Sequence, residues 1–97
     1  MSRPDAKAEV QIDNEVVKVT RWCFPPGGET GWHRHEFNYV VVPLSTGTLL
    51  LETSKGDTSS ELSHGVSYYR NKGAEHNVIN SNDFEFSFVE IEFKKAD

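Results

Sequence analysis

Three of the four histidines in this chain fall into two short clusters roughly forty residues apart, each set in glycine-rich sequence. The first reads Gly27-GETGW-His33-Arg34-His35 and the second Gly65-VSYYR-Asn71-Lys72-Gly73-AE-His76-NVI-Asn80. Neutral imidazole nitrogen suits Fe, Ni, Zn, Mn or Cu, with bonds near ~2.0–2.1 Å for zinc, and three such donors leave positions open for water or substrate. So open a site is more typical of catalysis than of structure. The residues therefore predict one divalent transition metal held by His33, His35 and His76, with its identity left open among those five elements.

Such a site needs strands to build it. His33 and His35 are two apart, so on an extended strand both rings project from one face while Arg34 points to the other. His76 follows a glycine-containing loop and opens the apolar run Asn77-Val78-Ile79, as a second strand beside the first would. Elsewhere, β-branched and aromatic runs at Glu15–Phe24, Gly31–His35, Phe37–Leu44, Thr48–Thr53, Ser59–Leu62, Val66–Arg70, His76–Asn80 and Phe84–Phe93 are separated by turn residues such as Pro25-Pro26-Gly27-Gly28 and Lys55-Gly56-Asp57. No helix is predicted. About eight short strands at this spacing read as an antiparallel sandwich or barrel. In the last run, Phe84, Phe86 and Phe88 share one parity and Val89, Ile91 and Phe93 the other, so a bulge or bend is expected near Phe88 and Val89 to bury both sets.

At 97 residues the chain reads as one domain, residues 8–97, behind a loose tail at residues 1–7. A net charge of −5 without a basic stripe argues against a nucleic-acid partner. The polar opening MSRPDAKAEV is unlike a secretory signal, and no apolar run is long enough to span a membrane, so a cytoplasmic location is expected. Cys23, the one cysteine, cannot form an intrachain disulfide. A small barrel gains core by pairing, and a homodimer is the expected assembly.

The two clusters resemble the paired motifs of the cupin superfamily: Gly27, His33, His35 and Gly47 match the first, and Gly65, Gly73, His76 and Asn80 the second. The resemblance covers Gly27 to Asn80. It implies an all-β antiparallel jelly roll, the double-stranded β-helix barrel of RmlC-like proteins, with His33, His35 and His76 as metal ligands. Two positions depart from the pattern. Tyr39 stands where cupins carry a glutamate ligand, and Asn71 where proline is common. Three neutral histidines would leave a divalent ion its full double charge, which favours a small anionic or chelating ligand. Some three-histidine cupins are iron dioxygenases, so oxygen chemistry is one implied activity. The stretches RWCFPPGGETGWHRHEFNYVVVPL, GAEHNVIN and FVEIEFK are similar to very small cupins associated with β-alanine degradation, which implies a small amino or keto acid as the compound handled.

Tyr39 is read as facing the pocket outside the metal's coordination shell, because a phenol of pKa ~10 is a poor ligand. Arg21 and Arg70 are the candidates for gripping a carboxylate with a two-pronged guanidinium. His64, Glu36 and Glu75 read as solvated, Cys23 as a small buried side chain, and Trp22 and Trp32 as packing residues. No inward motif position carries a carboxylate, so no general base stands out. Three functions stay open: a metal-dependent oxygenase, lyase or isomerase; a metabolite-binding or sensing module; and a metal-stabilised scaffold.

Overall fold

In the computed structural model, which describes residues 3–95, the chain forms nine strands. They are β1 (Lys7–Asp13), β2 (Val17–Phe24), β3 (His33–Arg34), β4 (Asn38–Pro43), β5 (Gly47–Thr53), β6 (Gly56–Leu62), β7 (Tyr68–Arg70), β8 (Glu75–Asn80) and β9 (Phe86–Phe93). A five-stranded sheet runs β1-β2-β9-β4-β7 and a four-stranded sheet runs β3-β8-β5-β6, with every strand pair antiparallel. This is the expected all-β jelly-roll arrangement. Among the described residues there is no helix, hence none long and apolar enough to cross a membrane.

Alternation along the strands decides what the sheets bury between them. Thr20, Trp22 and Phe24 of β2, Tyr39 and Val41 of β4, and Phe86 and Phe88 of β9 face Leu49, Leu62 and Val78 of the other sheet. Phe24 and Phe88 stack at 5.4 Å between centroids, and Phe24 and Phe86 are wholly buried. At the closed end Asn80, fully buried, donates through its amide nitrogen to the carbonyls of Phe84 (2.8 Å) and Pro25 (3.2 Å). Its carbonyl oxygen accepts from the Asn82 backbone N–H at 3.0 Å. The motif asparagine is thus a tie between two loops, and a buried amide that makes all these bonds costs little to bury.

Three expectations are corrected here. A ninth strand, β1, precedes the predicted eight; its KAEVQID sequence is exposed throughout, so it lacks the half-buried alternation by which a strand is read. Of the expected loose tail at residues 1–7, residues 1–2 lie outside the described residues, while the rest is tied down: Glu29 N–H donates to the Pro4 carbonyl, Ala6 N–H donates to the Glu29 carbonyl, and Lys7 opens β1. β9 has no bulge. Its register runs unbroken against β2 from Phe86 to Phe93 and against β4 from Phe88 to Phe93. The irregularity falls in β1 instead, between Val10 and Ile12.

An unbroken β9 keeps one inner parity along its whole length. Phe86 and Phe88 are followed on that face by Glu90 and Glu92, while Val89, Ile91 and Phe93 take the outer face. There the register sets Ile12, Val19, Ile91, Val40 and Tyr69 side by side across all five strands. Ile12 and Tyr69 are exposed and the three between them half-buried.

Candidate metal centre

His33 and His76 are direct cross-strand partners in the two-residue ladder of β3 and β8. His35 continues the line just past β3, where its N–H donates to the Ala74 carbonyl at 2.9 Å and its carbonyl accepts from the Gly73 N–H at 2.7 Å. Gly73 makes that contact at φ 97°, a conformation closed to most side chains, so the second motif's glycine is needed to bring the loop onto His35.

The three rings converge. His35 Nε2 lies 3.1 Å from His33 Nε2 and 3.2 Å from His76 Nε2, with the rings edge to face. His33 Nδ1 lies 2.9 Å from the Gly31 carbonyl, so that nitrogen carries the proton and Nε2 presents its lone pair. A ring nitrogen has one in-plane position, holding either a hydrogen or a lone pair, so His35 can hydrogen-bond at most one of its two neighbours. The remaining contact would set lone pair against lone pair. A cation removes that conflict: with metal–nitrogen bonds of ~2.05 Å the observed spacing corresponds to angles near ~100°, suitable for tetrahedral or octahedral geometry. Burial holds the His35 imidazole down to about 3 and that of His76 down to about 4, so both stay neutral and ready to ligate.

Outer contacts orient this set. The Asn77 carbonyl oxygen accepts from the Gly31 N–H at 2.9 Å, and its amide donates to Glu29 (2.8 Å) and Glu52 (2.9 Å). Arg3 bridges the same two carboxylates from the surface. Asn77 first and Arg3 second hold the Glu29 carboxyl below its ordinary range. Three other segments of chain, at Arg3, Glu52 and Asn77, therefore fix the loop whose Gly31 carbonyl aims His33.

His35 and His76 open onto a cavity of about 320 Å³ between the sheets, lined also by Tyr39, Tyr68, Arg70 and Glu90, with Val41, Leu49, Val78 and Phe88 as apolar wall. His33 lies on the other side, beside Trp32, Arg34 and Glu75. Tyr39, 2% exposed, stacks on His35 at 3.9 Å between centroids, and burial pushes its phenol above its ordinary value. Arg70, opposite Tyr39 across β4 and β7, reaches the cavity with its guanidinium 5.2 Å from the Tyr68 ring centre. Arg21 does not join them. It shares the outer parity of Val19 and is exposed, which corrects its candidacy as a carboxylate anchor. Trp32 is corrected too: at 57% exposed it lies at the surface next to His33 and does not pack. Glu36 and His64 are exposed as expected; Glu75, also exposed, touches the cavity rim. Cys23 is half-buried, its sulfur 3.5 Å from Ser87 Oγ.

The two acids of β9 are the residues that sequence reading missed. Glu90 is 8% exposed on the cavity wall, and burial, reinforced by Glu92 and opposed by Lys18, pushes its carboxyl up to about 7. Glu92 is the cross-strand partner of Tyr39 on β4 and of Lys18 on β2, and burial raises its carboxyl as well. The signal was present in FEFSFVEIEF, where the inner parity of Phe86 and Phe88 runs straight on to the two glutamates.

Comparison with known proteins agrees with this architecture. The family model described as Cupin domain matches residues 20–92. The chain is 56% identical over 92 residues to "Beta-alanine degradation protein BauB" of Pseudomonas aeruginosa, covering 95% of this chain and 97% of that protein. A cupin domain protein from Bordetella pertussis Tohama I superposes with a TM-score of 0.96 at 66% identity, covering 98% and 99% of the two chains. A Klebsiella pneumoniae protein with a double-stranded β-helix domain shares the fold at TM-score 0.77 and 21% identity, covering 97% of this chain and 81% of that one.

Proposed function

This chain belongs to the cupin family, and on that premise we propose that it is a metal-dependent enzyme acting on a small organic or amino acid. The single observation that carries the reading is the convergence of the His33, His35 and His76 Nε2 atoms, at spacings of 3.1 and 3.2 Å, beside a partly open cavity. His33, His35 and His76 would hold a divalent transition metal, which would supply Lewis acidity towards a carbonyl or carboxylate, or oxygen chemistry if the ion were iron. The chain's own residues do the rest. Arg70 at the cavity wall grips a second anionic group, and the apolar wall of Val41, Leu49 and Phe88 excludes water and limits the substrate to a few carbons. Burial raises both acids on β9, and whichever of Glu90 and Glu92 the ion leaves free is suited to take a proton from substrate carbon or nitrogen. Tyr39 keeps its proton and offers a phenolic O–H.

The strong likeness to a β-alanine degradation protein supports a small amino or keto acid as the substrate class. We read the protein as cytoplasmic and as a homodimer, the latter supported by the apolar row from Ile12 to Tyr69 on the outer sheet face. Sedimentation of Ile91→Lys against the parent chain tests the dimer. The functional reading is tested by metal analysis of the purified protein and of a His33→Ala, His76→Ala variant, followed by oxygen-uptake and product screening against small acids. Unchanged metal content in the double variant would remove the metal reading. A tightly held metabolite without turnover would make the protein a binding module.

A further inference from the structure

The site has an uncovered charge on each side. Three neutral imidazoles leave a divalent ion its full double charge. Facing it, Glu90 is 8% exposed and receives no hydrogen bond from any described residue, while its carboxylate lines the cavity it shares with His35. Its oxygens are open to that cavity, since no fully buried side-chain oxygen among the described residues lacks a partner, and there a cation or a proton can offset the cost of the acid's burial. Glu92 stands two residues on along the same inner face. Its partner across the sheet is Tyr39, the position from which the family's glutamate is missing, and directly opposed side chains on one face stand ~4.5–5.5 Å apart at Cβ. Donor atoms of His35, Glu90 and Glu92 all lie within 4.8 Å of one another. Glu92 is also close enough to His33 to sense its charge.

We propose that Glu90 and Glu92 supply, from β9, the carboxylate ligation that the first motif lacks, so that one ion is shared by the three histidines and an acid from a strand outside both motifs. This rests on the metal reading above. The neighbouring strand replaces the missing ligand because β4 and β9 are in register at this point, and a glutamate moved sideways by one strand still points into the same space. Tyr39 then serves as a wall, stacked on His35, that confines the ring and leaves the carboxylates as the anionic donors. Lys18, cross-strand from Glu92, is the competing cation and must give way when metal binds.

An added carboxylate also changes which ion is preferred. Oxygen donors suit manganese, whereas an imidazole-only set leans to zinc. The experiment measures Mn²⁺ and Zn²⁺ dissociation constants separately, by chelator competition on the full chain, for the parent protein, Glu90→Gln, Glu92→Gln and their double variant. Glutamine keeps shape and volume, and a thermal melt checks folding. The double variant is expected to bind Mn²⁺ at least tenfold more weakly and Zn²⁺ by a smaller factor. Adding Tyr39→Glu to that double variant should recover Mn²⁺ affinity by putting an acid back at the motif position. Mn²⁺ affinity within twofold of the parent protein, or equal losses for both ions, overturns the proposal and leaves the three-histidine site standing. Metal binding that survives His33→Ala, His76→Ala overturns the underlying reading instead.

Discussion

Replacing Glu90 by glutamine in metal-free protein should raise stability at pH 8 and leave it nearly unchanged at pH 4. The Glu90 carboxyl ionises at about 7 in the folded chain against 4.5 for the free group, with burial as the main cause. Between those values the folded state holds a proton that the unfolded chain has released, so this group's contribution is fully present below pH 4.5 and is lost as pH rises through 7. Each pH decade in that window is worth ~1.4 kcal/mol, and the whole is about 3 kcal/mol. Glutamine does not titrate and escapes the loss. For a domain of this size the difference at pH 8 corresponds to a gain of roughly 12–24 °C in Tm. Urea midpoints in chelator, taken every half unit from pH 4 to pH 8.5, give the two curves, which should meet at the acid end, separate between about pH 4.5 and 7 and run parallel above that. Curves that stay parallel throughout would refute the claim that Glu90 is a buried, unpaired acid. Metal should shrink the gap by stabilising the carboxylate.

Three further outcomes follow from the geometry. Tyr39→Phe should retain full metal stoichiometry, because the ring still stacks on His35, while raising the KM for any acid substrate that uses the phenol; loss of metal from this variant would make Tyr39 a ligand. Asn77→Ala removes a side chain that is 2% exposed and bonded to two carboxylates and to Gly31, and should cost ~2–4 kcal/mol by urea denaturation together with a measurable loss of Zn²⁺ affinity. Acidification should release metal only well below the ordinary histidine value near 6.5, since burial holds His35 at about 3 and His76 at about 4; in the metal-free chain the same depressed values mean that these two groups cost stability as pH falls from 6.5 towards 4. A metal-release titration from pH 8 to pH 4 with a midpoint at or above 6.5 would contradict the buried, neutral set.

The histidines were legible in the sequence because a strand's period of two and a glycine turn leave little freedom in where such rings point. His33, His35 and His76 meet as their spacing demands, and Tyr39 and Arg70 line the same cavity as His35 and His76. The acids of β9 were hidden by an assumption about burial. Taking apolar residues as the inner set forces a bulge between Phe88 and Val89, whereas the strand runs straight and turns its polar residues inward because the space they enter is a cavity and not packed core. Trp32 misleads through the same assumption in reverse, as a large ring left at the surface. β1 was invisible for a different reason: an edge strand can be held by backbone bonds to β2 alone, which leaves no hydrophobic pattern to read.

The ladder that joins β3 to β8 also sets an order of events during synthesis. His33 and His35 are synthesised before His76, with 41 residues separating His35 from it, an interval of roughly 2–8 s at ~5–20 residues per second. Over that interval Gly31 and Glu29 lack Asn77, the residue that later fixes the loop and, through it, the His33 ring. Until β8 is made, the chain offers only two of the three histidines, and the loop that aims His33 lacks its Asn77 tie. On the metal reading, the three-histidine set exists only once β8 has docked, so expression in media of different metal content should give different occupants of one and the same fold.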